Sequence, residues 1–242
     1  MVTLSANHVA KRFGGLYALA DLTVEIDTAA VTGLIGPNGS GKTTLVNIMS
    51  GFDSPTSGHI YLDQKKITNI SPDRLVEMGI VRTFQHPRPF KGLSVLENVL
   101  VASLRSEKDL RQAKKKALEA LRKAGLERFQ DNLISDVNTT TAKLVALAAS
   151  LAAQPRFIMI DEGAAGLSTS ESELFVKLLG DIHGEGIGLL VVEHVMRVIS
   201  AVCDEVIVLD HGVKIAQGTP QEVMRSEQVI GAYLGRGYAS RA

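Results

Sequence analysis

The chain of 242 residues has one cysteine, no excess of charge of either sign and no apolar run long enough to cross a bilayer. Each absence removes a class of proteins. With Cys203 alone, neither an intramolecular disulfide nor a cysteine-based zinc site can form; the thiol reads as a small buried hydrophobe, and a reducing compartment fits. Lys plus Arg and Asp plus Glu each number 26, so no global basic field exists to hold nucleic acid or an anionic bilayer. The apolar runs 144–153 and 157–160 fall short of the roughly 18 to 20 residues a membrane span needs, so a membrane role must come through partners. The first residues, MVTLSANHVAKRF, alternate as a strand does, and no export signal is expected in them. No internal repeat or low-complexity tract is found.

What is present is an ordinary globular composition, 45% hydrophobic, on a chain long enough for a sizeable core. The front third reads as short strands at 4–13, 22–26 and 31–35, the last running into a Gly-rich turn and a helix from Lys42. Further strand signals lie at 58–67 and at 79–84, where an apolar strand is expected to end at Gln85. From Ser94 to Ala153 the pattern is helical. Within it, 108–125 predicts a helix with Leu110, Ala113, Ala117, Leu118 and Leu121 on one face and Lys114, Lys115, Lys116 and Arg122 around the rest, a solvated basic face. Three more apolar strands, 157–160, 188–192 and 206–209, alternate with helical segments, as in a parallel sheet covered on both faces. The chain is therefore expected to be α/β. A helical stretch of about sixty residues between Gln85 and Phe157 is too long for a crossover and reads as an inserted helical part, about 94–153. The tail from Gly235 is expected to fray.

The chemistry is concentrated in a few strand ends. Gly36-Pro37-Asn38-Gly39-Ser40-Gly41-Lys42-Thr43 matches the phosphate-loop pattern of two glycines five positions apart followed by Lys and a hydroxyl residue. A buried strand precedes it and a helix follows, so backbone N–H groups and a helix N-terminus converge on one anion. Lys42 would neutralise the β- and γ-phosphates of a nucleotide, the Thr43 hydroxyl would ligate Mg²⁺, and Thr44 would add a phosphate contact. Such a site also needs a carboxylate for the metal and a group that orients the attacking water. Phe157-Ile158-Met159-Ile160-Asp161-Glu162 supplies both at the carboxyl end of a strand, Asp161 for the metal and Glu162 for the water. Gly188-Leu189-Leu190-Val191-Val192 ends likewise in Glu193-His194, which puts His194 where it can donate to a γ-phosphate oxygen. Gln85 can sense Mg²⁺ or the water, and Phe13 can stack on a base. No Asn-Lys-x-Asp tetrapeptide occurs, which speaks against a guanine reader.

In this order the pieces resemble the ATP-binding subunit of an ABC transporter, from Leu4 to Leu234, as a single domain over 1–242. The resemblance implies a fold with a P-loop NTPase core sheet, an antiparallel β subdomain and an inserted α-helical subdomain. It puts Phe13 at the adenine-stacking position, Gly36–Thr43 at Walker A, Gln85 at the Q-loop, Asp161 and Glu162 at Walker B and His194 at the switch histidine. Arg12-Phe13-Gly14-Gly15-Leu16, Val81-Arg82-Thr83-Phe84-Gln85 and Ala164-Ala165-Gly166-Leu167 are most similar to subunits of branched-chain amino-acid importers. The implied cofactors are ATP and Mg²⁺. The implied partners are transmembrane permease subunits, docking around 85–104, and a second ATPase subunit, all at the cytoplasmic face of the membrane. The rival readings are a subunit that binds ATP with little turnover and a soluble ABC-type ATPase outside transport.

The departures from the family are as informative. Where the family has a Leu-Ser-Gly-Gly-Gln type signature, this chain has Val137-Asn138-Thr139-Thr140-Thr141; Asn138 can still cap a helix, but β-branched Thr140 adds bulk where the signature's glycines have none. The next helix has only Lys143 as a charge. Gly163 replaces the usual proline, Ser168 stands where Asp or Asn is common, and Val195 follows the histidine where Asp is frequent. An intact Walker half beside a damaged signature half predicts an asymmetric pair with a non-identical partner.

Overall fold

Alternation is clearest over residues 21–26. In β2 (Leu16–Asp27) Leu22, Val24 and Ile26 are buried while Asp21, Thr23 and Glu25 face water, the period-two pattern of a half-covered strand. It pairs antiparallel with β1 (Thr3–Phe13), which pairs with β4 (Ser57–Leu62), and β5 (Lys65–Lys66) closes a four-stranded antiparallel sheet of order β2-β1-β4-β5. The expected strand at 58–67 is thus a hairpin of two. The computed structural model describes residues 1–234, so the tail from Gly235 lies outside the described residues.

The second sheet has the order β10-β9-β3-β8-β7-β6, from β3 (Val31–Ile35), β6 (Ile80–Arg82), β7 (Phe157–Asp161), β8 (Gly188–Val192), β9 (Glu205–Asp210) and β10 (Val213–Gly218). Every residue of β3, β7 and β8 is buried, as continuous apolar runs require when both faces are covered. The sheet is parallel from β6 to β9; β10, an edge strand without a strong apolar signal, adds antiparallel and corrects the expectation of a purely parallel sheet. One face, with Ile158, Ile160, Leu189 and Val191, packs under helices; the other, with Phe157, Met159, Leu190 and Val192, packs against the antiparallel sheet and α1 (Lys42–Met49).

After α2 (Pro72–Glu77), the helical run between β6 and β7 comprises α3 (Val95–Ser103), α4 (Leu110–Lys123) and α5 (Thr139–Ala152), with two 3₁₀ turns. Its cover is small: α4 buries Ala113, Ala117, Ala120 and Leu121, while Leu110 and Leu118, expected on that face, are exposed at 60% and 37%. The stripe is narrower than the composition suggested because three of its four contacts are alanines. α6 (Thr169–Gly184), α7 (Met196–Val202), α8 (Pro220–Arg225) and α9 (Glu227–Leu234) complete the described chain. Among the described residues no helix is long and apolar enough to cross a membrane.

Gly188 is fixed by its neighbour across the sheet. It pairs with Phe157, and a Cβ on it would sit 2.5 Å from the Cδ1 of that fully buried ring. Gly188→Ala should lower stability by about 1–3 kcal/mol through overpacking, and Phe157→Leu in the same chain should return part of the loss. Urea midpoints of the three variants check this; an unchanged midpoint for Gly188→Ala contradicts it.

Candidate functional site

Strands β3, β8, β7 and β6 are neighbours in that order, so whatever leaves their carboxyl ends arrives at one edge of the sheet. β3 delivers residues 36–41 and then α1. Gly41, the residue before α1, has φ +108°, and a Cβ there would meet the Ala18 carbonyl at 2.6 Å, so the tight turn onto the helix depends on glycine. Lys42 is only 6% exposed. Its ammonium donates to the carbonyls of Gly36 at 2.8 Å and Pro37 at 2.9 Å. Burial pulls its pKa below the ordinary lysine value, against the opposing pull of Glu162 and Asp161 nearby. Asn38, Gly39 and Thr43 are exposed, Pro37 and Thr44 half-buried and Ser40 buried.

β7 ends in the two carboxylates, and the backbone separates them. Asp161 is the last strand residue and is buried, with Oδ2 accepting from Arg82 Nη2 at 2.7 Å. Glu162 turns to φ +51°, a left-handed conformation that few non-glycine residues adopt, and its amide donates to the Val192 carbonyl at 2.9 Å. Its carboxylate accepts from Gln85 Nε2 and lies 3.1 Å from His194 Nε2. Three residues distant in sequence, Gln85, Glu162 and His194, therefore meet directly, with Lys42 close enough to feel the same carboxylates. Gln85 reaches this point from a loop: β6 stops at Arg82, three residues earlier than expected, because Thr83 keeps a ladder bond to Met159 and the chain then leaves the sheet.

Phe13 stands apart from this cluster. It ends β1 at the hairpin, 54% exposed, with the Lys11 ammonium 4.9 Å from its ring centroid. Of residues 137–141, Thr139 to Thr141 begin α5, and Asn138 caps it as expected, accepting from the Thr141 amide at 2.8 Å. Two other departures also find their reasons. A Cβ on Gly163 would sit 2.6 Å from Phe175 Cζ, so the buried Phe175 ring occupies the space a proline would need. Ser168 caps α6 in a capping box with Glu171, a task Asp or Asn would also perform. Val195 precedes α7 with no side-chain cap.

Three residues of the site escaped the sequence reading. Arg82 spans Asp161 and Asn47, its Nη1 2.6 Å from Asn47 Oδ1, and lies 4.9 Å from the Phe84 ring centroid, while its buried Nε has no partner. Its signal was a lone cation closing an apolar strand. Glu193, 1% exposed, accepts from the Ala164 amide at 2.6 Å, and burial raises its pKa above the ordinary carboxylate value. It was a carboxylate at a strand end, as Glu162 is. Lys143, the one charge of α5, donates to the carbonyls of Ala165 and Glu162.

The donor set suits Mg²⁺ held jointly with a nucleotide. Among the described residues no group of three or more His, Cys, Asp or Glu could hold a metal ion by itself. The Thr43 hydroxyl, the Asp161 carboxylate near Lys42 and the amide oxygen of Gln85, whose nitrogen meets Glu162, are instead single hard donors of the kind that would suit an ion keeping waters and phosphate oxygens as its other ligands.

A sheet edge that joins a phosphate loop to paired carboxylates, a glutamine and a histidine defines a nucleotide-hydrolysing cassette. The ABC transporter family model matches residues 19–165, and the branched-chain amino acid ATP-binding cassette transporter model matches 213–239. The chain belongs to the ABC transporter family, as an ATP-binding, ATP-hydrolysing subunit. It is 33% identical to the high-affinity branched-chain amino acid transport ATP-binding protein LivG of Salmonella typhimurium, over 96% of this chain and 97% of that one. It is 32% identical to the corresponding protein BraF of Pseudomonas aeruginosa, over 96% and 97%. An ATP-binding cassette of an ABC transporter in its ADP conformation superposes with TM-score 0.88 at 30% identity, over 97% of this chain and 99% of that one. A bacterial ABC transporter cassette solved as a dimer gives 0.81 at 28%, over 90% and 98%.

Glu193 gives this site a pH signature. Its raised pKa means that the folded state favours the protonated carboxyl, so its contribution to stability is complete below the ordinary carboxylate range and is lost as pH rises through the raised value. Glu193→Gln, which cannot ionise, should therefore lose less stability than the native chain as pH rises from the ordinary carboxylate range. Urea denaturation across a pH series that starts in that range reads the difference, and equal slopes would remove Glu193 as a titrating group.

Proposed function

We propose that the chain powers uptake of branched-chain amino acids, or a closely related small solute, as the ATPase subunit of an importer. The observation that carries the hydrolytic part is the contact of Glu162 with both Gln85 and His194 at the ends of neighbouring strands, beside Lys42. The solute class rests on the names of the relatives, LivG and BraF. The whole of 1–242 acts as one nucleotide-binding domain, with 94–153 as its helical subdomain.

Each residue has a task in this reading. Gly36, Pro37, Asn38, Gly39, Ser40 and Gly41 wrap the phosphates with backbone amides. Lys42 exchanges the carbonyls of Gly36 and Pro37 for phosphate oxygens, Thr44 adds a hydroxyl contact, and Phe13 stacks on the adenine. Thr43, Asp161 and Gln85 would hold Mg²⁺, which when bound spreads the charge of the transferring phosphoryl group. Glu162 accepts the proton of the attacking water or orients it, and His194 donates to the γ-phosphate oxygens.

The transmembrane permease subunits dock at the cytoplasmic face on the groove of about 350 Å³ that Phe84, Pro87, Phe90, Val101 and Val145 line. Phe84 and Phe90 are 45% and 57% exposed there, so a partner would cover apolar surface that the chain alone leaves in water. A second ATPase subunit completes the nucleotide sites. Residues 137–141 favour a non-identical second chain, since a homodimer would place β-branched side chains against both nucleotides. The same residues favour a second reading, in which this subunit binds ATP and turns over little.

Two mutants separate cradle from chemistry. Lys42→Ala should weaken MgATP binding by the isolated chain, measured by calorimetry, because the phosphates lose their nearest counter-charge. Glu162→Gln in the assembled transporter should keep binding and lower turnover by roughly a hundredfold or more. Unchanged affinity in the first or surviving turnover in the second contradicts the assignment.

The asymmetric pair has its own test. In the purified complex Glu162→Gln should remove most turnover and the matching mutation in the partner subunit little. Grafting Leu-Ser-Gly-Gly-Gln onto residues 137–141 should raise activity at the second site. Losing aligned donors to a developing phosphate charge costs about 3–4 kcal/mol, enough to silence one site while nucleotide still binds there. A homodimer of the unmodified chain that hydrolyses ATP rapidly would overturn this.

A further inference from the structure

The helix that begins at residues 137–141 carries one charged side chain, and that side chain turns inward. Lys143 Nζ lies 2.6 Å from the Ala165 carbonyl oxygen and 3.3 Å from the Glu162 carbonyl oxygen. A lysine serving solubility alone would extend into water, whereas the charge of this one also acts on the buried Glu193 carboxylate. This one meets two main-chain oxygens that bracket the turn after β7.

That turn holds Glu162 at φ +51°, and it is gripped from two bodies. From the sheet side, Glu193 at the end of β8 takes the Ala164 amide at 2.6 Å, and the Val192 carbonyl takes the Glu162 amide. These anchors sit on the same sheet as β7 and move with it. From the helix side the anchor is Lys143, on α5, whose first turn is the Asn138-capped segment at the signature position. A shift of α5 therefore reaches the Glu162 peptide through one side chain, with no other residue between.

We propose that Lys143 is a positioning residue for ATP hydrolysis, which makes the aim of the Glu162 carboxylate depend on where α5 stands. The inference rests on the reading of Glu162 as the group that activates water, and it adds a direct line from the signature helix to that group within one subunit. Removing the ammonium leaves the phosphate loop untouched but frees the turn on its helix side. A misplacement of the order of 1 Å at a reacting group costs up to about a hundredfold in rate.

The test uses the assembled transporter. Lys143→Met, which keeps most of the aliphatic stem, should lower kcat at least tenfold while KM for ATP changes less than twofold. Lys143→Arg, which can reach the same carbonyls, should restore at least a third of the native rate. In a Glu162→Gln background, Lys143→Met should lower the residual rate less than twofold, since the group it positions is already gone. Where the methionine variant fails to unfold cooperatively, Lys143→Gln takes its place in all three measurements. A methionine variant with more than half the native kcat, an arginine variant no better than methionine, or losses that multiply in the double variant would each overturn the proposal. A native rate in Glu162→Gln alone is a different failure: it removes Glu162 from the chemistry, and the inference falls with it.

Discussion

The site depends on one backbone constraint, the left-handed turn at Glu162 directly after a fully buried strand. Consecutive residues of a strand point to opposite faces, so two carboxylates in a row cannot serve one site unless the chain leaves the pleat between them. The turn does this. Asp161 stays in the sheet and faces Arg82, while Glu162 swings to Gln85 and His194. A non-glycine residue in that conformation costs about 1–3 kcal/mol, and the bonds from Val192, Glu193 and Lys143 around the turn are what hold it.

The rest of the cassette arranges elements around that edge. The parallel order of β6, β7, β8 and β3 sends four chain ends to one place, and helices on one face with the antiparallel sheet on the other keep those strands dry. Arg82 shows the cost of packing charge there. Its guanidinium satisfies Asp161 and Asn47 with two nitrogens and leaves the third, buried, without a partner. The ring of Phe84 beside it is part of the apolar groove, so Asp161 and the groove share one arginine as neighbour.

Much of this was legible in sequence because it rests on short-range patterns. β3 and β8 fall at the residues the apolar runs predict, and the helix begins at Lys42 as the loop pattern requires. Glu162, Gln85 and His194 were expected to converge, since each follows a strand of one sheet, and they do. Asn138 was expected to cap and does. What sequence did not show depends on contacts across the fold. The edge strand β10 has little apolar signal, and the end of β6 at Arg82 reflects a loop departing, which periodicity in three residues cannot register. Leu110 and Leu118 fit a helical face on paper, yet the neighbours of α4 cover only a narrower stripe. Arg82, Lys143 and Glu193 looked like ordinary charges because their partners lie in other elements. The glycine at 163, in place of the family's usual proline, is explained only by the ring of Phe175 from another element.

The buried ammonium of Lys42 has a consequence for how the chain is held together. Its water is stripped when the chain folds, and two loop carbonyls are only a partial replacement for an anion. The free chain thus carries a desolvation penalty that an incoming phosphate relieves. A ligand that binds only the folded form adds RT ln(1 + [L]/Kd) to its stability, about 2.7 kcal/mol at a hundredfold excess over Kd. On the proposed reading, nucleotide would then stabilise the folded chain as well as serve as its fuel.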